Sequence, residues 1–240
     1  LQLSIYRNWE ESYFLCIIAS VRSRVIRFHK SFLFPTGVGG GGFAVKSLLG
    51  AVIGLVVITS SALAGPLHDA ARQGDVDRVR QLLDQGVVVA ELDEAGDPAL
   101  IIASLAGRAG VVALLLERGA DIEIRNKHGL TALHAAAYGG NMDVIELLVA
   151  KGAAVNDTAN FYKMSPLHAA AEEGHAEVVA FLLANKAEVE AQERNGYTPL
   201  SQAGWRDHWD AADLLMKAGA VCQKADLVGD RLYAECTKRQ

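Results

Sequence analysis

Three sets of residues in this chain recur with one shared period. Leu67, Leu100, Leu133, Leu167 and Leu200 lie 33, 33, 34 and 33 residues apart. Gly86, Gly119, Gly152, Lys186 and Gly219 keep the same spacing, as do Val89, Ile122, Val155, Val189 and Cys222. Such a period marks a stack of small supersecondary units, none able to bury its apolar face alone, so that stability comes from neighbour on neighbour.

Around these columns the local chemistry is helical. The segments Gly129–Ala136, Ser165–Ala171 and Gly196–Ser201 read G-L-T-A-L-H-A-A, S-P-L-H-A-A-A and G-Y-T-P-L-S. Thr131, Ser165 and Thr198 suit the N-cap of a first helix, and Pro166 and Pro199 suit its first turn, where no intrahelical N–H bond is lost. Paired leucines then form the stripe of a second helix, and the glycine column permits a left-handed C-cap. The runs Ala135–Ala137 and Ala169–Ala171 let neighbouring first helices approach closely.

These segments resemble the G-x-T-P-L-H-x-A signature of ankyrin repeats, and Gly74, Gly107, Gly140 and Gly174 extend the likeness into the inter-helix turn. The resemblance spans about residues 65–224. It implies an all-α ankyrin-repeat solenoid of helix-turn-helix pairs with β-turn tips. Five repeats are expected, at 65–95, 96–128, 129–162, 163–195 and 196–224, followed by a tail at 225–240. Several positions depart from the pattern. Repeat two reads Asp97-Pro98-Ala99-Leu100-Ile101 and lacks the histidine. Repeat four follows a turn with one extra residue and has Lys163 where Gly129 and Gly196 stand. Lys186 replaces a helix-ending glycine, which predicts a strained or looser cap. Repeat five has Ser201 for histidine and Asp207 for the turn glycine, which predicts an irregular turn beside Trp205.

The region before the repeats differs in kind. Residues 1–64 carry a net charge of +4 and residues 65–240 a net of −9, together the −5 of the whole. The acidic body argues against nucleic acid as a partner, which needs a basic footprint. From Val45, a single Lys46 precedes an apolar run over Ser47–Ile58 and the small-x-small triplet Ala62-Leu63-Ala64. This is the layout of a secretory signal peptide at 45–64, with cleavage between Ala64 and Gly65. The apolar run is shorter than the roughly 20 residues a spanning helix wants, so no stable membrane anchor is expected after cleavage. Residues 1–44 show no sustained period, and Gly39–Gly42 sit just before Val45. They are read as a doubtful leader, with bacterial translation starting at Val45, against the alternative of a genuine extension.

Nothing in the pattern points to catalysis, a metal or a cofactor. His68, His134 and His168 occupy the family's signature position, which by resemblance bonds backbone groups between repeats. Neighbouring signature histidines would also lie a repeat apart, beyond a shared coordination shell of about 2 Å. His128, His175 and His208 fall on turns. Export would remove Cys16 and leave Cys222 and Cys236 as a pair where disulfides persist. Their bond would staple the tail over the open end of the last repeat, with two unlinked buried thiols as the alternative.

The resemblance implies partner binding through turn tips and the exposed side of first helices. Residue by residue, these positions are Glu94, Ala95, Asp97, Leu105 and Ala106 in repeat two, and Lys127, His128, Leu130 and Tyr138 in repeat three. Repeat four supplies Phe161, Tyr162, Met164, Glu172 and Glu173, and repeat five Arg194, Asn195, Tyr197, Trp205 and Arg206. Phe161, Tyr162, Met164, Tyr197 and Trp205 form the predicted patch, because aromatic anchors there stand where solvated residues are the default. The alternative is packing between tips, with Phe161 or Tyr162 the foremost case. The expected protein is a monomeric, non-catalytic binding module in the periplasm or secreted. It would scaffold, protect or inhibit an envelope protein; the rivals are a secreted effector acting on host proteins and, further off, an enzyme or small-molecule binder. A peptide map of unprocessed protein tests the start site: tryptic peptides from residues 8–22 should be missing, and finding them would place residues 1–44 in the translated chain.

Overall fold

The computed structural model describes residues 59–240. The doubtful leader and residues 45–58 of the expected signal segment lie outside the described residues. The first helices are α1 (Thr59–Gln73), α3 (Ala99–Leu105), α5 (Ala132–Gly139), α7 (Pro166–Glu172) and α9 (Pro199–Trp205), of which the last three begin where the cap chemistry predicts and α1 begins ahead of the expected first repeat. The second helices are α2 (Val76–Asp84), α4 (Ala109–Glu117), α6 (Met142–Ala150), α8 (Ala176–Ala184) and α10 (Trp209–Lys217). A short α11 (Ala225–Val228) and α12 (Asp230–Arg239) complete the described residues. The expected cleavage point, Ala64–Gly65, falls within α1.

Thr131, Ser165 and Thr198 are the N-caps of α5, α7 and α9, in extended conformation. Each first helix packs on the next in chain order, and the second helices follow the same order. The alanine columns make this possible: Ala103, Ala136, Ala137, Ala170, Ala171 and Ala203 have no exposed surface. The leucines fill the space between layers, with Leu67, Leu82, Leu115, Leu148, Leu167, Leu182 and Leu215 also at 0% exposure. Burying each such side chain contributes about 1.5–3 kcal/mol.

The non-glycine departures keep the glycine backbone. Lys163, Lys186 and Asp207 take φ of 56°, 66° and 59°, in the left-handed region. The Lys186 cap is not looser: its N–H reaches Leu183 O at 3.0 Å and Ala187 N–H reaches Leu182 O at 2.9 Å. What remains is strain, about 1–2 kcal/mol for a side chain in that conformation. Asp207 likewise preserves a regular turn. His208 N–H bonds Ala203 O at 2.9 Å, matching His175 N–H to Ala170 O, so the irregularity expected beside Trp205 is absent.

The last repeat is closed by the tail. Cys222 and Cys236 are disulfide-bonded with Cα atoms 5.9 Å apart, and Cys236 is buried. Leu232 of α12 lies over Gly204 of α9, where any Cβ would collide with it. Gln223 supplies what the missing histidine does elsewhere. Its amide oxygen accepts from Thr198 N–H and the Ser201 hydroxyl, and its amide nitrogen donates to Gly196 O at 2.7 Å. Cys236→Ser, or reduction of the wild type, should lower unfolding free energy by about 3 kcal/mol for a loop of this length. Chemical denaturation with and without reductant checks this, and a variant as stable as oxidised wild type would show the staple to be idle.

Candidate protein interface

The turn tips are built on one anchor per repeat. Asp93 Oδ1 accepts the N–H of Ala95 and Asp97 at 2.8 and 3.0 Å. Asn126 Oδ1 accepts those of His128 and Leu130 at 3.0 Å each. Asn160 Oδ1 accepts those of Tyr162 and Met164 at 3.1 Å each. Glu193 Oε1 accepts Asn195 N–H at 2.8 Å and Tyr197 N–H at 3.4 Å, and burial pushes its carboxyl upward in pKa. Sequence reasoning missed this column, although acids and asparagines recur there with the spacing of the leucines.

Adjacent tips are then tied by backbone. Lys127 N–H donates to Gly96 O (3.2 Å), Phe161 N–H to His128 O (3.0 Å), and Arg194 N–H to Tyr162 O (2.8 Å). Below the tips, His134 Nε2 bonds Asp157 O and Met164 O at 3.1 and 2.9 Å, and His168 Nε2 bonds Tyr197 O at 3.2 Å. Carbonyls only accept, so Nε2 carries the proton. Nδ1 then accepts the N-cap N–H, from Thr131 at 3.3 Å and from Ser165 at 3.2 Å. Histidine thus fills the capping-box place usually held by Glu or Gln. The extra residue before repeat four lies in the turn that carries Asp157. Burial alone would raise this carboxyl, but the Arg125 guanidinium at 2.7 Å and Ala159 N–H at 2.9 Å hold it below the ordinary range.

A second inter-repeat clamp was also missed. Arg108, Asn141 and His175, the N-caps of α4, α6 and α8, reach back to the end of the preceding first helix. Arg108 Nε donates to Arg72 O at 3.0 Å, Asn141 Nδ2 to Ser104 O and Leu105 O at 2.8 and 2.9 Å, and His175 Nε2 to Tyr138 O at 2.9 Å. Unlike residue types share that place, so no sequence column advertises it.

The predicted binding residues divide on this frame. Phe161 is 62% exposed, with Tyr162 edge-on to it at 5.0 Å and the Arg194 guanidinium over its ring at 4.5 Å. Tyr162 is half-buried and stacks toward His128 at 6.2 Å. His128, Phe161, Tyr162 and Arg194 therefore form one chain of contacts across three tips, with exposed Lys127 beside them. Tyr197 and Trp205 form a separate half-buried pair, centroids 4.3 Å apart, and Trp205 Nε1 donates to Val228 O of the tail at 3.3 Å. Arg206 pairs with Glu172 at 2.9 Å. Tyr138 faces Glu173, and burial raises its hydroxyl pKa first, the carboxylate second. Leu130 is half-buried. Met164 corrects the expectation: it is 5% exposed and its side chain is not available to a partner. It precedes the N-cap Ser165, a place from which an apolar side chain folds back onto the helix.

Among the described residues, no group of three or more His, Cys, Asp or Glu is placed to hold a metal, and no helix is long and apolar enough to cross a membrane.

The histidine clamps make tip geometry sensitive to acid. Burial lowers the His168 pKa to about 4 and also lowers that of His134, against about 6.5 unfolded. The unfolded chain therefore takes up a proton that the folded one refuses. The stabilisation from His168 is complete above about pH 6.5 and is lost as pH falls toward 4, about 3 kcal/mol in all. Urea unfolding free energies should fall between pH 7 and 4.5. His168→Gln, which can keep the capping box, should be less stable at pH 7 but show a shallower fall; an unchanged slope would place the titration elsewhere.

A family model described as ankyrin repeats, three copies long, matches residues 42–126, 67–159, 115–193 and 157–226 in overlapping windows. No curated protein sequence matches the chain significantly. With the match running from residue 42 to residue 226 over five stacked helix pairs, this chain belongs to the ankyrin-repeat family, whose repeats generally mediate protein–protein interaction and are typically non-catalytic.

Proposed function

We propose that this protein is an exported binding module that engages another protein of the cell envelope through the tips of repeats three to five. One observation carries the reading: Phe161 stands 62% exposed on a tip fixed by hydrogen bonds on both sides, with Arg194 and Tyr162 packed against it. A large aromatic ring held rigid in solvent costs little further entropy on docking, which is why aromatic and arginine side chains dominate binding energy at interfaces. The Tyr197–Trp205 pair lends stiffness at the capped end rather than forming the centre of contact.

Export rests on two supports of different origin. The segment Val45–Ala64 has the charged, apolar and small-residue parts of a signal peptide. The Cys222–Cys236 bond fits an oxidising compartment, where it would persist. The protein acts as a monomer, scaffolding, protecting or inhibiting its partner.

Capture from the periplasmic fraction by wild type and by Phe161→Ala/Tyr162→Ala tests both parts. The variant should melt within a few degrees of wild type and lose about 2 kcal/mol of affinity, roughly thirtyfold in Kd. Undiminished capture would move the interface off these tips, and absence from the periplasm would move the compartment.

A further inference from the structure

The tips of repeats three to five run against the charge of the rest of the molecule. Residues 65–240 carry a net −9, and the second helices expose Asp143, Glu146, Glu177 and Asp210. Yet Lys127, Lys163 and Arg194 stand exposed on three successive tips. None of the three is in an ion pair among the described residues.

Most carboxylates near them are engaged elsewhere, and Asp97 lies close enough to attract Lys127. Glu193 is 5% exposed and bonded to N–H groups of its own turn. Asp157 is held by Arg125, Glu172 by Arg206, and Glu173 faces Tyr138. Asp97, at the edge of repeat two, accepts from Asn126 Nδ2 at 2.9 Å.

Position along the tips adds a pattern. Glu94, Lys127, Phe161 and Arg194 occupy the same place in four successive tips, and the tip-to-tip backbone bonds keep them in register. Two cations thus flank an exposed ring, one repeat to each side, and Lys163 shares the tip of Phe161. The Arg194 guanidinium lies over the Phe161 ring, an arrangement that leaves its planar donors suited to a carboxylate.

We propose that these tips bind an acidic, extended segment of the partner protein, with an apolar side chain on Phe161 and carboxylates to either side on Lys127 and Arg194. The inference rests on the reading of the tips as an interface and adds the chemistry of what they hold. Packed helices lie about 8–10 Å apart and an extended chain advances about 3.3 Å per residue. The partner's acids therefore fall about three residues before and after its apolar anchor. Nucleic acid and anionic membranes share the negative charge, but both need a broad basic footprint, which the acidic second helices oppose.

The test is fluorescence anisotropy with the purified full chain and a labelled peptide carrying glutamates three residues either side of a leucine. Binding should weaken with added salt. Lys127→Glu/Arg194→Glu should lose at least tenfold in Kd, while Lys151→Glu/Lys217→Glu on the opposite helices, an equal charge change, should stay within about twofold. Circular dichroism melts confirm that both variants fold. No binding of the acidic peptide, equal binding by the tip variant, or preference for the lysine counterpart would overturn the inference. So would preferential displacement of the peptide by single-stranded RNA or anionic vesicles. If Phe161→Ala/Tyr162→Ala abolishes capture from the periplasm while Lys127→Glu/Arg194→Glu leaves it intact, the tip interface stands and its acidic partner falls.

Discussion

Each helix pair in this protein leaves the flanks of its first helix apolar, and only another pair can cover them. The alanine columns answer that constraint by letting first helices meet at close range, while the leucines fill the layer behind. Every other feature is fitted to this contact. The glycine positions and their three left-handed substitutes return the chain at the same angle after each helix, so that the next pair arrives in register. The strain at Lys163, Lys186 and Asp207 is tolerated because stacking on both sides over-determines the turn.

Polar bonding lies on top of that packing and is unusually continuous between repeats. Buried histidines tie helix starts to the following turn, N-cap side chains of the second helices tie back to the preceding helix end, and tip backbones tie to one another. Buried donors and acceptors are costly when unpaired, so each clamp fixes a unique offset between neighbours rather than merely adding stability. The tips inherit that precision. A binding surface on loops is usually mobile; here the loops are braced from below and from the side.

Much of this was legible in the residues. The three in-phase columns gave the helix pairs, and the segments around them gave the caps at Thr131, Ser165 and Thr198; the regular left-handed turns kept at Lys186 and Asp207 were not foreseen, since a looser cap and an irregular turn were the expectation there. The Cys222–Cys236 bond was one of two readings the thiols left open, beside two unlinked buried cysteines. What escaped was chemistry shared by unlike residues. Arg108, Asn141 and His175 do one job with three side chains, and Glu193 anchors a tip as Asn126 and Asn160 do. Met164 was misplaced because the family's variable positions say where a large residue stands on a tip but not whether its side chain folds back on the helix. Trp205 shows a similar limit, since its tail contact depends on a segment that has no counterpart in the repeats.

The covalent closure at one end also gives the array a direction. Stacked repeats lose structure most readily from their ends, where a unit has one neighbour instead of two. At the C-terminal end the last pair is roofed by α12 and bolted through Cys236, so peeling from that side exposes little chain until the bond is cut. Unravelling and proteolytic trimming are therefore held back from that side, and the braced tips of repeats three to five sit beside the bolted end.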